Sequence, residues 1–260
     1  MKKEVYAKKK FGQNFLTDQN IISKILNIHP LEGNKILEIG PGRGALTKEL
    51  VKQAKEVVAF EIDGDMINIL NKEITSDNFN LVHMDFLESD ISDFKGFLVI
   101  ANIPYYITSD IIFKLLDYRQ NFIAATLMVQ KEVAERIVAN KNSKEYSKLS
   151  VTVQSICTPK IEFIVKKTSF SPAPNVDSAI ITLKFDKEKT DFEKLKDFYK
   201  LCFLARRKKL SYSLKTKYST EAIKNAFEKL GYDDNLRIQQ LDIYEIDELY
   251  YLLENRTDNL

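Results

Sequence analysis

The chain contains 260 residues, of which 44% are hydrophobic and 29% are charged, and its formal net charge is +2 at pH 7. This composition excludes a largely disordered protein, and no apolar run reaches the length of a membrane span. Two distant cysteines and two histidines provide neither a disulfide framework nor a metal site or histidine-based triad. We therefore expect a cytoplasmic, metal-free protein with one large and one smaller domain.

Charge is unevenly distributed along the chain. Residues 1–10 carry a net charge of +4, residues 198–220 carry +7 without any acidic residue, and residues 221–260 carry −6. A single basic cluster is usually a solvated helix face, but two concentrated basic stretches in a nearly neutral protein favour a localised surface for a polyanion.

Short β-branched stretches alternate with amphipathic stretches in the first half of the chain. A helix is predicted to begin after Thr17-Asp18, where Asp18 can cap it. Strands are predicted at residues 35–39, 57–61, 80–82, 97–101 and 124–129, and helices at 45–54, 65–73 and 110–116. This alternation predicts an α/β fold with a parallel sheet and helices on both faces.

The middle of the chain is less regular. The run from 149 to 156 fits either a strand or a buried helix, and its pattern leaves both open. Strands are predicted at 160–165 and 178–185, joined by a proline-rich segment, and we expect them to form an antiparallel pair at the sheet edge.

The last part of the chain changes in character at residue 186. Apolar residues recur there at helical spacing, and helices are expected at 192–202, 222–230 and 246–253. We therefore predict two domains: an α/β domain at residues 1–187 and a small all-α domain at residues 188–260.

A glycine-rich turn follows the strand predicted at 35–39, and Glu61 ends the next strand. The turn, residues 38–44, reads Glu-Ile-Gly-Pro-Gly-Arg-Gly. Glycines there let the backbone approach a ligand, and a carboxylate ending the next strand can accept from two ribose hydroxyls, which indicates a nucleoside cofactor. The third glycine comes one residue too early for a dinucleotide fingerprint, although a nicotinamide dehydrogenase stays an alternative.

Polar side chains also follow the next two strands. Asp85 follows the strand predicted at 80–82, where it either accepts from a cofactor adenine amine or caps a helix. Residues 102–105, Asn-Ile-Pro-Tyr, follow the strand predicted at 97–101. Taken alone, this segment would be an ordinary Asn-x-Pro turn.

Behind a nucleoside-binding strand pair, the turn fits methylation of an adenine amine. That amine is a poor nucleophile because its lone pair is delocalised into the ring. The Asn102 oxygen and a main-chain carbonyl of the turn can accept its two N–H bonds, which favours the pyramidal nitrogen that attacks a sulfonium methyl group. Pro104 fixes the turn, and Tyr105 can stack on the base, an interaction worth about 1–3 kcal/mol.

Five motifs together resemble the rRNA adenine N6,N6-dimethyltransferase family, nearly from end to end of the chain. They are Gln-Asn-Phe-Leu at 13–16, Glu-Ile-Gly-Pro-Gly at 38–42, Asn-Ile-Pro-Tyr at 102–105, Gln-Lys-Glu-Val at 130–133 and Phe-Ser-Pro-Ala-Pro-Asn-Val-Asp-Ser at 170–178. Residues 143–151 and 203–210 are most similar to the bacterial KsgA-type branch of that family.

The resemblance implies a class I, Rossmann-like methyltransferase fold with S-adenosylmethionine as cofactor. It implies dimethylation of two adjacent adenosines in a hairpin loop near the 3′ end of small-subunit (16S) rRNA during 30S assembly. The expected partner is rRNA in the small subunit or its assembly intermediate, and the chain is expected to be monomeric, with no membrane or metal partner. Two alternatives stay open: an Erm-type methyltransferase of large-subunit rRNA and a non-catalytic RNA-binding assembly factor.

The resemblance also implies site residues. Those expected to be catalytic are Asn102, Pro104, Tyr105 and Phe170. Phe170 is expected to cover the face of the target base opposite Tyr105. Those expected to bind the cofactor are Asn14, Leu16, Gly40, Gly42, Glu61, Ile62, Asp85, Phe86 and Asn102. Those expected to contact RNA in the helical domain are Arg206, Arg207, Lys208 and Lys209. Arg43 and Gly44 are given no role, because family members vary there.

Overall fold

The computed structural model describes residue 8 and residues 12–254. Most of the basic stretch at residues 1–10 therefore lies outside the described residues. The chain divides into two compact units. The first contains the described residues up to Ala134 together with Pro159–Phe185, and the second contains Glu135–Thr158 and the described residues from Asp186 onwards.

The strands and helices predicted from the sequence occur in the predicted order, together with elements at 15–16, 131–137, 170–171 and 210–214 that were not predicted. The strands are β1 (Phe15–Leu16), β2 (Lys35–Ile39), β3 (Glu56–Glu61), β4 (Phe79–His83), β5 (Phe97–Asn102), β6 (Phe122–Gln130), β7 (Thr158–Val165), β8 (Phe170–Ser171) and β9 (Ser178–Lys184). The helices are α1 (Gln19–Leu26), α2 (Thr47–Gln53), α3 (Gly64–Glu73), α4 (Thr108–Asp117), α5 (Lys131–Ile137), α6 (Lys148–Ile156), α7 (Phe192–Cys202), α8 (Leu210–Leu214), α9 (Thr220–Lys229) and α10 (Ile243–Leu253). None of these described helices is long and apolar enough to cross a membrane.

Seven strands of the described chain form one mixed sheet with helices on both sides, in the order β4-β3-β2-β5-β6-β9-β7. The strands β4, β3, β2, β5 and β6 are parallel, and β9 is antiparallel to β6. The strand order reverses between β3 and β5, which both pair with β2. In open α/β sheets a ligand crevice forms at the carboxyl ends of strands beside such a switch point.

A second sheet, of two strands, pairs the segment before α1 with the segment that carries β8. β1 pairs antiparallel with β8, with Leu16 opposite Phe170. The Thr17 amide donates to the Ser169 carbonyl at 2.9 Å, and Asp18 caps α1 as predicted. The segment before α1 is therefore held beside the crevice.

The second unit is helical and has its own core. Tyr199 is fully buried in this core, and its hydroxyl donates to Asp247 at 2.5 Å. Cys202 is also buried there as a free thiol.

The boundary between the units corrects the predicted domain organisation. The segment at 149–156, left open by its pattern, is α6, which starts with Ser147 and Ser150 in a capping box. Because Tyr146 and Val151 bury their side chains in the helical core, Glu135–Thr158 belongs to the second unit and not to an α/β domain spanning 1–187.

Candidate active site

A cleft of about 1050 Å³, counting the solvent at its mouth, lies at the carboxyl ends of the parallel strands. Its lining includes every residue expected to bind the cofactor, and these are Asn14, Leu16, Gly40, Gly42, Glu61, Ile62, Asp85, Phe86 and Asn102. Pro104 and Tyr105 line it as well. The structure thus brings together side chains that are far apart in the sequence.

Glu61 is held by backbone donors at the glycine turn. Its Oε2 accepts from the Gly42 amide at 3.0 Å, and its Oε1 accepts from the Ile62 and Asp63 amides at 2.9 and 2.8 Å. Burial raises the pKa of the Glu61 carboxyl, and these backbone bonds oppose the rise. A carboxylate offers about four acceptor sites, so Glu61 keeps capacity for a hydroxyl-bearing ligand.

Two glycines of the turn have left-handed backbone conformations and lie close to neighbouring side chains. Gly42 has a φ of +57°, and a Cβ there would lie 3.2 Å from the Phe15 ring. Gly44 has a φ of +75°, and a Cβ there would lie 2.9 Å from Leu70 Cδ2. Gly44, which was given no role, therefore lets the start of α2 approach α3, and Arg43 lies over the Phe15 ring with 5.0 Å to its centroid.

Asp63 anchors the N-terminal segment beside Glu61, and sequence reasoning missed it. The Gln13 side chain donates to Asp63 Oδ2 at 2.8 Å, and Lys8 Nζ lies 2.6 Å from Oδ1. Burial opposes ionisation of Asp63, but the hydrogen bonds from Lys8 and Gln13 outweigh it and hold the pKa of this carboxyl below its usual value. The available signal was Gln13 within the first family motif.

The loop after β4 is clamped from α4. Asp85 Oδ1 accepts from the Leu87 amide at 2.8 Å, so Asp85 is a capping residue as well as a lining residue. Lys114 Nζ donates to the carbonyls of Phe86, Leu87 and Ser89 at 2.7, 2.9 and 2.5 Å. Lys114 thereby fixes the loop that carries Asp85 and Phe86, a role invisible in its sequence context.

The Asn-Ile-Pro-Tyr turn presents an oriented amide. Asn102 Nδ2 donates to the Asn14 carbonyl at 3.2 Å, which leaves Oδ1 as the acceptor on the other side of the amide. The Pro104 carbonyl already accepts from the Ile107 amide and from Thr108 Oγ1, both at 3.3 Å. The Pro104 carbonyl is therefore already engaged by two donors of the protein.

Phe170 is buried next to the cleft residue Leu16 in the core of the first unit. Its side chain is 5% exposed, packs in the same core cluster as Leu16, and does not line the cleft. β8, which carries Phe170, pairs with β1, which carries the cleft residue Leu16. The role of Phe170 on the face of the base opposite Tyr105 therefore stays a prediction.

Glu38 is a buried carboxyl in the cleft wall. It is 2% exposed, and within the described part of the chain its Oε2 has no hydrogen-bond partner. Burial raises the pKa of Glu38 to about 8. The Thr47 hydroxyl lowers this pKa, and the nearby Glu61 charge raises it, each by less than burial does. No group of three or more His, Cys, Asp or Glu among the described residues is arranged to hold a metal ion.

Glu38 should make stability depend on pH. The folded protein keeps this proton up to about pH 8, whereas an ordinary Glu releases it near 4.5. The free energy of unfolding therefore falls as pH rises through that window, by up to about 1.4 kcal/mol per pH unit. We expect Glu38→Gln to raise the Tm of the ligand-free protein at about pH 8.5 far more than at about pH 5.5 in calorimetry. Equal Tm differences at both pH values would contradict this, and the exposed Glu73→Gln is the control.

The basic segment of the second unit forms a turn between α7 and α8. Arg207, Lys208 and Lys209 are exposed, whereas Arg206 is half-buried and donates to the Ser143 carbonyl at 2.9 Å. Three of the four expected RNA residues are thus available, and Arg206 supports a neighbouring loop.

Arg237 joins this basic surface and was missed from the sequence. The Leu210 amide donates to the Leu236 carbonyl at 2.7 Å, which brings Arg237 beside the turn. Two shallow concavities share Arg207 and Arg237 in their linings. Arg237 lies in an acidic stretch of sequence, and therefore only the folded arrangement reveals it.

The chain is similar to known proteins over nearly its whole length. A family model described as ribosomal RNA adenine dimethylase matches residues 5–254. A protein of Mycoplasmopsis synoviae named ribosomal RNA small subunit methyltransferase A is 54% identical, over 92% of this chain and 94% of that protein.

Two crystal structures have the same fold. A dimethyladenosine transferase from Plasmodium falciparum superimposes with a TM-score of 0.82 at 28% identity, over 93% of this chain and 98% of that one. The 23S rRNA methyltransferase ErmE superimposes with a TM-score of 0.70 at 28% identity, over 93% and 100% of the two chains. The predicted Rossmann-like fold is confirmed. The chain belongs to the ribosomal RNA adenine dimethylase family of S-adenosylmethionine-dependent rRNA methyltransferases.

Proposed function

We propose that this chain transfers methyl groups from S-adenosylmethionine to the N6 amines of two adjacent adenosines in a hairpin loop near the 3′ end of small-subunit rRNA, during subunit assembly. The observation that carries the chemistry is the oriented Asn102 amide, whose Nδ2 is held by the Asn14 carbonyl. The small-subunit substrate is supported by the 54% identity to a protein named for that subunit, compared with 28% to ErmE.

The cleft fits this cofactor by chemistry and by surface. Glu61 accepts from three backbone amides and keeps about one acceptor site for a ribose hydroxyl, and Asp85 has a second carboxylate oxygen for the adenine amine. Ile62 is 42% exposed and Met84 is 46% exposed, and both line the cleft. A flat apolar ring would cover these side chains. Asn14, Leu16 and Gly40 line the rest of the site.

The bound cofactor supplies an electrophilic methyl group, and the residues of the turn prepare the amine that attacks it. Asn102 Oδ1 and the Ile103 carbonyl accept the two N–H bonds, which concentrates the lone pair on the nitrogen. The attacking amine is neutral, so no general base is required before attack, and the cationic nitrogen formed by methyl transfer then releases its proton to solvent. Tyr105 stacks on the base and offsets part of the few kcal/mol lost in extruding the nucleotide.

The second unit is proposed to hold RNA phosphates through its basic surface, defined as Arg207, Lys208, Lys209, Lys215 and Arg237. Exposed guanidinium and ammonium groups bind phosphate without reading sequence. Lys208 Nζ lies 3.7 Å from the centroid of the Tyr212 ring, so an aromatic face lies within the same surface.

The test is methyl transfer from labelled cofactor to three substrates in parallel: undermodified small subunits, protein-free large-subunit rRNA and fully modified small subunits. We expect label only with undermodified small subunits, in dimethylated adenosine. Label confined to large-subunit rRNA would favour the Erm-type alternative. Absence of label with all three, together with retained RNA binding, would favour a non-catalytic assembly factor.

Lys114→Met should loosen the loop at Asp85 without altering the Asn-Ile-Pro-Tyr turn at 102–105. Methionine has a similar length but cannot donate to the three carbonyls of the loop. We expect the affinity for S-adenosylhomocysteine to fall about tenfold, equivalent to about 1.4 kcal/mol, in titration calorimetry. RNA affinity should be unchanged. Lys72→Met, at the exposed end of α3, is the matched control, and an equal effect in both variants would contradict a specific clamp.

A further inference from the structure

We infer that Ser178 is a positioning residue for methyl transfer, holding the Tyr105 ring in the orientation that stacks on the target adenine. This inference deepens the proposed function and rests on it. The Tyr105 and Ser178 hydroxyl oxygens are 2.7 Å apart, and Ser178 is 0% exposed while Tyr105 is half-buried. Ser178 is the last residue of the family motif at 170–178, and the sequence analysis assigned it no role.

The two hydroxyls differ in how firmly their backbones are held. Ser178 is the first residue of β9 and pairs with Gln130 in β6. The residue before it, Asp177, is fixed twice, because its carbonyl accepts from the Lys131 amide and its carboxylate accepts from the Lys167 amide, both at 3.0 Å. The Ser178 hydroxyl is therefore presented by a rigid sheet edge.

Tyr105 has less local support. It begins a single 3₁₀ turn, Tyr105–Ile107, that follows Pro104 without a side-chain cap. Rotation about the Tyr105 side-chain bonds would swing the ring across the cleft mouth, and a hydroxyl contact at the far end of the ring limits that rotation most effectively. The bond to Ser178 thus fixes the Tyr105 ring, whose face is the stacking surface, against the rigid strand β9.

The contact also limits what Tyr105 can do chemically. Burial raises the pKa of the Tyr105 hydroxyl, and the bond to Ser178 only partly opposes this. The hydroxyl therefore stays protonated near neutral pH and is engaged with Ser178, which leaves the ring face as the part that meets the substrate. A ring used for stacking gains from a fixed orientation because less motion is lost on binding.

A double-mutant cycle tests this inference. Tyr105→Phe and Ser178→Ala each remove one partner of the bond and keep the ring, and each should lower kcat about fivefold, the size of one net hydrogen bond. The double variant should be no slower than either single variant, and KM for S-adenosylmethionine should be unchanged in all three. Additive losses would overturn the inference.

A control and an optical readout separate positioning from folding. Thr182→Val removes another buried hydroxyl of β9, paired with Thr126 Oγ1 at 3.3 Å, and should change Tm without changing kcat. RNA carrying 2-aminopurine at the target position should be quenched by stacking on the wild-type enzyme and brighter on Ser178→Ala. Equal fluorescence on both, or a loss of kcat that follows Tm in Thr182→Val as well, would contradict positioning. Failure of the wild type to methylate adenine would instead contradict the proposed function.

Discussion

Replacing Asn102 by alanine is expected to lower kcat for methyl transfer by about 100- to 1000-fold. Loss of one preorganised hydrogen-bonding group aimed at a developing charge has an effect of this size in other enzymes. The effect should fall on kcat rather than on KM for RNA, because the acceptor matters most as the nitrogen becomes pyramidal. Single-turnover transfer to undermodified small subunits measures it.

A matched amide elsewhere in the same unit serves as the control. Asn121 Nδ2 donates to the Ile91 and Ser92 carbonyls, both at 2.9 Å, and Asn121 does not line the cleft. Asn121→Ala should lower Tm and preserve kcat. An Asn102→Ala enzyme with undiminished kcat would remove Asn102 from the mechanism.

Arg207→Ala combined with Arg237→Ala is expected to lower RNA affinity about 10- to 100-fold at moderate salt. Each phosphate contact contributes about 0.7–0.9 to the slope of log affinity against log salt, so the slope should become shallower by about 1.5. At saturating RNA, kcat should be unchanged because neither residue lines the cleft.

The double variant Lys224→Ala and Lys229→Ala removes the same charge from the same unit. Both lysines lie on α9, away from the two concavities at Arg207 and Arg237. RNA affinity and salt slope should stay close to the wild-type values in this control. Equal losses in the two double variants would show that only net charge matters and that the basic surface is not a binding site.

The parallel sheet was predictable because its strands carry continuous apolar runs between turn signals. The strand predicted at 35–39 has the same bounds as β2, and the other predicted strands begin and end within two residues of expectation, whereas the short strands β1 and β8 were not predicted. The segment at 149–156 was not predictable, because a helix buried on every side has no amphipathic period. Its place in the second unit depends on contacts of Tyr146 and Val151 with helices distant in sequence.

The residues of the candidate active site also divide into those that the sequence predicted and those that it did not. Glu61, Asp85 and Asn102 were predictable because strand ends meet at one edge of a parallel sheet. Lys114 and Ser178 act through hydrogen bonds to residues distant in the sequence, which no local pattern records. The motif at residues 170–178 identified the segment that carries Phe170, whereas the burial of its ring depends on the pairing of β8 with β1, which the sequence did not predict.

Mass spectrometry of nucleosides and fragments from small-subunit rRNA tests the central claim most directly. Cells lacking the gene would be compared with cells complemented by the wild-type or the Asn102→Ala chain. The account predicts that N6,N6-dimethyladenosine at two adjacent positions is absent without the gene, returns with the wild type and stays absent with Asn102→Ala. Dimethyladenosine that persists at both positions without the gene would contradict it.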